Sequence, residues 1–220
     1  MPDIAPRVVL YSSEAPAPAV AQGWIALPVL PRLPGAPVVF GDGSHATTRL
    51  CAAALDLLCR QRQPHAVLDV GTGSGVLARV ARARGAGFIV GTDIDPAALA
   101  SARAQAALDG SQVEIHFSTD LPDHWGARFD LVVANILEAP LLSLVRALAD
   151  ALRPGGLLLL SGFTRMQMPA LRLAYENAGL SYVRHSDLDE WTLLTFARRA
   201  VVSDAAAPGH SAESTSSASP

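Results

Sequence analysis

The amino-acid sequence predicts an α/β fold: a mostly parallel β-sheet with an antiparallel last strand and helices on both faces. Two patterns support this prediction. Short apolar segments alternate along the chain with segments of helical periodicity. Glycine-rich or acidic turns follow the apolar segments, as they do in parallel sheets. The chain has 220 residues, 50% of them hydrophobic, so it can bury a sizeable core.

The first half of the predicted sheet begins with a strand that is short, apolar and followed by glycines. In chain order we expect strands at 66–70, 88–90 and 113–117, with helices at 75–84 and 96–108 between them. Asp95 is the expected N-cap of the second helix, with Pro96 at its first position and Gly110 as its stop.

The second half continues the same alternation. We expect strands at 129–134 and 157–160, and a helix at 169–178. Leucine and valine at helical spacing predict a further helix over 141–152, which the segment Arg153-Pro154-Gly155-Gly156 ends. The segments 181–184 and 191–196 are close enough in sequence to form an antiparallel pair, which gives the sheet its antiparallel last strand.

Three regions follow from composition. Residues 1–35 are rich in proline and contain two short apolar runs, which form either edge strands or an irregular arm. Residues 36–200 carry the alternating pattern and are expected to form the folded domain. Residues 201–220 are mostly Ala, Ser and Pro without an aromatic residue, so we expect a disordered tail.

Composition excludes several function classes. All 17 basic residues are arginine, so any mechanism that needs a lysine is excluded, such as a Schiff base or a phosphate loop ending in Gly-Lys. A net charge of −3 gives no broad field that favours nucleic acid or an anionic membrane. No apolar run is long enough for a membrane span and no leader pattern is present, so a cytoplasmic protein is expected.

The cysteines and histidines show no metal-ligand spacing, so no metal site is expected. Cys51 and Cys59 are eight positions apart. On a helix this spacing puts them about 12 Å apart along the axis, too far for a disulfide. We therefore expect two buried thiols on one helix.

The turn after the first strand, Asp69 to Gly75, has the spacing G-x-G-x-G. Dinucleotide-binding loops need G-x-G-x-x-G, with the last glycine where Val76 stands. The loop instead resembles motif I of class I S-adenosylmethionine (SAM) methyltransferases, and a plain tight turn is the alternative. The residues assigned to the cofactor here are Asp69, Gly71, Thr72, Gly73 and Gly75.

The next two turns carry acids. Asp93 lies 22 positions after Gly71, a distance that suits a carboxylate on the ribose of a ligand over the glycine loop. Asp95 competes for that role, but its expected capping explains it without a ligand, and Ile94 between them is assigned to the same pocket. Asp120, with Leu121, is a candidate for the adenine amino group, and a loop acid bound to its own backbone is the alternative.

Asn135 ends the fourth strand, where its amide and nearby carbonyls suit the hydrogens of an acceptor nitrogen. Methyltransferases that act on nucleobase amino groups place Asn/Asp-Pro-Pro-aromatic here, whereas this chain has Ile136-Leu137. This difference counts against a nucleobase acceptor. The alternative is an asparagine that caps its own loop.

One upstream segment, Phe40-Gly41-Asp42-Gly43-Ser44-His45-Ala46-Thr47-Thr48-Arg49-Leu50, occurs together with the motifs A-N-I-L, D-I-D-P, L-R-P-G-G and L-S-G and with Glu190-Trp191. On these motifs, residues 35–199 resemble the ribosomal large-subunit protein eleven methyltransferase family (PrmA-like). The resemblance implies a Rossmann-like class I methyltransferase sheet, with SAM as cofactor and S-adenosyl-L-homocysteine as product. It also implies an amine acceptor, either a lysine or an amino terminus.

Site residues follow from the same resemblance. It places Phe40, Gly41 and His45 in the SAM pocket, Thr47 and Asn135 beside the reacting centre, and Trp191 in the wall of the acceptor channel. Asn135 is assigned to the cofactor as well. The alternatives are that Phe40 and Trp191 are ordinary core aromatics and that His45 is a packed or capping histidine. Thr47 would then be a plain hydroxyl at a helix start. Asp42 or His45 is the candidate for a general base.

The chain also departs from the family. Asp42 and Ser44 replace its usual Thr and Thr/His, and about 35 residues stand where the family has a separate amino-terminal recognition domain. The acceptor is therefore expected to be an amine-bearing protein or a small molecule of specialised metabolism, methylated on nitrogen or oxygen. A non-catalytic SAM-binding module is a further alternative, and the oligomeric state stays open.

Overall fold

A seven-stranded mixed sheet organises the computed structural model, which describes residues 7–30, 43–109, 115–119 and 127–200. The strands are β1 (Val8–Ser12), β2 (Ile25–Val29), β3 (Ala66–Val70), β4 (Phe88–Thr92), β5 (Ile115–Ser118), β6 (Phe129–Asn135), β7 (Leu152–Thr164), β8 (Leu180–Leu188) and β9 (Trp191–Arg198). The helices are α1 (Ala46–Arg62), α2 (Val76–Ala83), α3 (Pro96–Ala107), α4 (Glu138–Ser143), α5 (Val145–Ala151) and α6 (Met168–Asn177).

The order of strands in the large sheet is β5-β4-β3-β6-β7-β9-β8. Strands β5, β4, β3, β6 and β7 are parallel, and β9 runs antiparallel between β7 and β8. The predicted mostly parallel sheet with an antiparallel last strand is confirmed, with that strand inserted inside the sheet. The order reverses between β3 and β6, and ligands of such sheets bind at that point, beyond the carboxyl ends of the strands.

Alternating side chains of the central strands fill two cores, one on each face of the sheet. Val67 of β3 packs into the first core and its neighbour Leu68 into the second. Helices α1 and α2 cover the first face, and residues of α5 and α6 cover the second. The prediction of helices on both faces is confirmed.

Cys51 and Cys59 are both free and buried on α1, as predicted. Burial raises the pKa of both thiols, that of Cys59 to about 12, because a thiolate would lose its hydration there. Both side chains are therefore ordinary core groups. Within the described ranges, no helix is long and apolar enough to cross a membrane.

The amino-terminal arm, which we define as residues 7–30, forms a separate parallel pair of strands, β1 with β2. Leu27 is buried in the first core, and Val8, Leu10 and Ile25 pack against it. The arm therefore shares the hydrophobic core of the folded domain. The predicted tail at 201–220 lies outside the described residues.

Two elements differ from the prediction. The helix expected over 141–152 is two short helices, α4 and α5, separated at Leu144. Leu152 belongs to β7, where it pairs with Phe129, so the strand begins before the Arg-Pro-Gly-Gly segment. A register shift between Phe129 and Leu131 accommodates the two glycines of that segment inside the strand. The expected stop at Gly110 and the start of the strand at 113–117 lie outside the described residues.

Candidate functional site

A cavity of about 810 Å³ opens at the carboxyl ends of β3, β4 and β6, where the strand order reverses. A ligand of nucleoside size fits that volume. Its lining residues are His45, Thr47, Val70, Gly71, Gly73, Thr92, Asp93, Ile94, Asp95, Ala98, Thr119, Asn135, Ile136, Leu137, Pro140, Leu144, Gly162 and Trp191. Most of the lining is apolar, so the few polar groups fix the orientation of a ligand.

The glycine loop at 71–75 is held from behind by Asp69. This carboxylate accepts hydrogen bonds from the Thr72 hydroxyl at 2.6 Å and from the Ala78 amide at 3.2 Å. Asp69 is 1% exposed and lies outside the cavity lining. Burial raises its pKa to about 6. Asp69 and Thr72 therefore shape the loop, while Gly71 and Gly73 line the cavity.

Gly71 marks the closest approach between the glycine loop and the turn after β6. Its φ is +69°, in the region that favours glycine. A Cβ atom at this position would collide with Cγ2 of Ile136. The glycine loop and the Asn135–Ile136 turn therefore pack directly against each other, and together they form the floor of the cavity.

Asp93 is fixed by two backbone amides, one on each carboxylate oxygen. The amide of Gly73 donates at 2.9 Å and that of Asp95 at 3.0 Å. A carboxylate has about four acceptor sites, so about two remain for a ligand. Asp95 caps α3 through a 2.8 Å bond from the Ala97 amide, as predicted. Ile94 is 92% exposed beside them and offers an apolar surface to a flat ring.

Asn135 lies on the opposite side of the cavity. Its Nδ2 is 3.5 Å from the Thr48 hydroxyl, and its buried Oδ1 has no hydrogen-bond partner among the described residues. Leaving a buried acceptor unsatisfied costs about 1–3 kcal/mol. Such an atom in a cavity wall is a site for a donor on a ligand.

His45, Thr47 and Trp191 form the wall beside Asn135. His45 is the N-cap of α1, and its Nδ1 accepts from the Thr47 amide at 3.3 Å and lies 2.8 Å from the Thr47 hydroxyl. The Trp191 ring packs edge-on against it, with centroids 4.8 Å apart. His45 therefore caps α1 and lines the cavity at the same time.

The structure thus divides the predicted site residues into three groups. Those that line the cavity are His45, Thr47, Gly71, Gly73, Asp93, Ile94, Asn135 and Trp191. Those that the structure describes outside the lining are Asp69, Thr72 and Gly75. Those that lie outside the described residues are Phe40, Gly41, Asp120 and Leu121.

The sequence prediction left out part of the cavity lining. Leu137, Pro140, Leu144 and Gly162 also line the cavity. Gly162 belongs to the L-S-G motif, which signals an unusual backbone, and a Cβ atom at this position would collide with the backbone of Ile136. The apolar residues had no such signal, because helical spacing also explains them. Among the described residues, no group of His, Cys, Asp or Glu side chains forms a metal site.

Comparisons with known proteins agree with this geometry. Residues 34–199 match the family model of ribosomal protein L11 methyltransferase (PrmA). The ribosomal protein L11 methyltransferase of Geobacter sulfurreducens is 43% identical over 159 residues, which cover 72% of this chain and 52% of that protein. The corresponding protein of Methylobacillus flagellatus is 42% identical, over 74% of this chain and 53% of its own. This chain therefore spans about half the length of the curated relatives it matches.

Solved structures extend the comparison. The ribosomal protein L11 methylase of Lactobacillus delbrueckii subsp. bulgaricus superimposes with a TM-score of 0.77 at 29% identity, over 90% of this chain and 97% of that one. The [4+2]-cyclase SpnF, at 18% identity and a TM-score of 0.56, shares the fold alone. Because the family model matches most of the sequence and the relatives exceed 40% identity, the chain belongs to the ribosomal protein L11 methyltransferase (PrmA) family.

Proposed function

We propose that the protein transfers the methyl group of SAM to an amine nitrogen, with a protein amine as the first candidate acceptor. The observation that supports this most directly concerns Asn135, which lines the cavity together with Gly71, Gly73 and Asp93 and whose buried Oδ1 has no hydrogen-bond partner among the described residues. The name of the relatives, ribosomal protein L11 methyltransferase, points to the same chemistry.

The residues on one side of the cavity fit SAM. Gly71 and Gly73 leave room for a ligand to approach the loop backbone, and α2 begins directly behind them at Val76. A helix start favours a carboxylate, such as that of the methionine part. The free acceptor sites of Asp93 suit two ribose hydroxyls, and Ile94 suits the adenine.

The other side fits an amine. Oδ1 of Asn135 accepts hydrogen bonds, so it favours a methyl acceptor that carries hydrogen. A neutral amine keeps its lone pair after it donates a hydrogen bond to Oδ1. Bound SAM supplies an activated methyl group. The chain therefore needs to bind, align and exclude water, and in-line alignment contributes up to about 7–11 kcal/mol. Trp191 and Leu137 shield this side with apolar surface.

The test is incubation of the protein with methyl-labelled SAM and a fractionated lysate. We expect label in protein, at lysine or an amino terminus, and far less label with the Asn135→Ala variant. The sequence contains no lysine, so within the enzyme only its own amino terminus can accept a methyl group on an amine. Label in small molecules would support the alternative acceptor class, and label in no fraction would refute methyl transfer.

A further inference from the structure

The arm contacts each of the three helices that begin at the cofactor side of the cavity. Helix α1 follows the loop that contains Gly43 and His45, α2 follows the glycine loop, and α3 follows Asp93. We propose that the arm is a positioning element that holds these three loops in the arrangement that binds SAM. This inference rests on the proposed function, because SAM is the ligand concerned.

The first contact reaches the loop before α1 directly. Leu10 of β1 packs against Gly43, which has a φ of +88°. A Cβ atom at position 43 would collide with Cδ1 of Leu10, so the leucine side chain occupies the space where a side chain would otherwise lie. His45, two residues later, caps α1 and lines the cavity. Loss of the Leu10 side chain would therefore loosen the loop at its contact with the arm.

The second contact fixes α2. Arg79, in the first turn of that helix, is 1% exposed, and it donates hydrogen bonds to the backbone carbonyl of Pro28 in β2 and to Asp109 at 2.9 Å and 2.6 Å. A buried guanidinium needs its partners, because a lost hydrogen bond would leave part of a charge unsatisfied. The arm is therefore attached to α2 three residues after the start of that helix.

The third contact is on α3, and further polar contacts bind the arm to α1. The amide of Leu30 donates to Oε1 of Gln105 at 2.9 Å. At the other end of the arm, Arg84 donates to the carbonyl of Arg7 at 3.2 Å and to Asp56 of α1 at 2.5 Å. Contacts with three different helices restrict their relative movement, which is how a supporting layer keeps a binding site in its productive geometry.

The decisive variant is Leu10→Ala, with calorimetric binding of S-adenosyl-L-homocysteine as the readout. If the loop keeps its binding conformation for about a fifth of the time, the apparent dissociation constant rises about fivefold. Gln105→Ala removes an exposed hydrogen bond and should leave the fold intact. We expect its apparent dissociation constant to rise about twofold.

Two controls separate positioning from general stability. Val9 lies on the same strand as Leu10 but is absent from the residues that pack against the core, so Val9→Ala should bind like the wild type. Leu180→Ala opens a cavity in the second core, far from the arm, and should lower the melting temperature while leaving the dissociation constant unchanged. If Leu10 had only a structural role, Leu10→Ala would behave like Leu180→Ala, with a lower melting temperature and an unchanged dissociation constant.

Hydrogen exchange of the ligand-free protein tests the arm without reference to SAM. We expect faster exchange of the amides in the first turn of α1 in Leu10→Ala than in Val9→Ala or Leu180→Ala. Wild-type affinity and wild-type exchange in Leu10→Ala would overturn the positioning role and leave the proposed function intact. A wild-type protein that does not bind S-adenosyl-L-homocysteine would instead refute the proposed function, and the cofactor role of the arm with it.

Discussion

Asn135 combines two properties that rarely occur together: its side chain is buried, and its Oδ1 has no partner among the described residues. The amide of Ile136, the next residue, donates to the carbonyl of Ser161 and is therefore not available to this atom. The cost of this arrangement is consistent with a ligand that supplies the missing donor. Asp93, in contrast, has both oxygens anchored by backbone amides and is already oriented before a ligand binds.

Replacement of Asn135 by alanine is expected to lower kcat by about tenfold or more, because the acceptor nitrogen loses its alignment. Binding of S-adenosyl-L-homocysteine should change little, since Asn135 lies on the acceptor side. Thr195→Val is the matched control: its hydroxyl is also buried and unpaired among the described residues, but it lies outside the cavity lining. Near-normal kcat in Asn135→Ala, measured at saturating substrates, would place the acceptor elsewhere.

Replacement of Asp93 by alanine is expected to weaken SAM binding by about a hundredfold or more, because two ribose hydroxyls lose their hydrogen-bond acceptor. Hydrogen bonds to a charged group contribute about 1.5–3 kcal/mol each. Asp95→Ala removes the cap of α3, so we expect it to lower stability by about 1 kcal/mol and to change affinity less. Titration calorimetry of both variants distinguishes the two acids, and equal affinities would remove Asp93 from the ribose site.

Asp69 should make stability depend on pH. Its pKa is raised from 3.8 to about 6 by burial, so between these values the folded protein binds more protons than the unfolded chain. Stability from this group is therefore present below about pH 4 and is lost as the pH rises through 6. From pH 4 to pH 7, the free energy of unfolding of Asp69→Asn should rise by on the order of 2–3 kcal/mol relative to that of the wild type. Urea unfolding of both proteins measures this difference, and a constant difference would contradict the assignment.

Strand β7 shows how one element shapes the acceptor side of the site. Its Gly162 has a φ of +98° and lies against the backbone of Ile136, so the Asn135–Ile136 turn can approach the strand only because position 162 has no side chain. A register shift in the β7–β9 pairing occurs between Leu160 and Phe163, around this glycine. The bulge therefore sets the position of the turn that carries Asn135.

Gly162→Ala should displace the Asn135–Ile136 turn and lower both stability and kcat. Gly155→Ala is the matched control on the same strand, since Gly155 also has a positive φ of +81° but has open space around it. The stability of the control should fall only by what a left-handed conformation costs a residue with a side chain, about 1–2 kcal/mol, and its activity should be kept. If the two variants lost activity equally, backbone strain rather than the contact with Ile136 would explain the effect.

The elements that sequence predicted well are those with local signals. The strand at 66–70 matches β3 because an apolar segment is followed by glycines, and Asp95 caps α3 because the cap is decided within three residues. The split between α4 and α5 and the early start of β7 have no local signal. The early start of β7 depends on the pairing of Leu152 with Phe129, which the sequence does not reveal without the sheet.

The cavity residues, too, were predicted only where the sequence carries a local signal. Glycines and acids at strand ends predicted that Gly71, Gly73 and Asp93 line a cavity, because chemistry and position coincide there. Leu137, Pro140 and Leu144 were not predicted, because an apolar residue in a cavity wall and one in a core have the same local pattern. The placement of Asp69 behind the loop instead of at its surface likewise depends on its contact with Ala78, nine residues away.

On the scale of the whole molecule, the arm and the domain share one hydrophobic core. Leu27 of the arm is 5% exposed in the same cluster as Leu50 and Leu55 of α1. The buried pair of Arg79 and Asp109 adds a polar contact with the arm on α2, through the Pro28 carbonyl. Unfolding of the arm alone would expose this apolar surface and leave a buried charge short of a partner, so we expect arm and domain to unfold together.

Trp24 allows a test of this cooperativity, because it lies in the arm and is 38% exposed. In a variant that keeps Trp24 as its single tryptophan, the urea midpoint from fluorescence should coincide with the midpoint from circular dichroism. S-adenosyl-L-homocysteine at about a hundred times its dissociation constant should raise the free energy of unfolding by about 2.7 kcal/mol by both probes. Trp24 does not line the cavity in which we propose that the ligand binds, so an equal shift at Trp24 means that arm and cavity unfold as one unit. A Trp24 transition that precedes the domain transition and ignores the ligand would show that the arm is an independent segment.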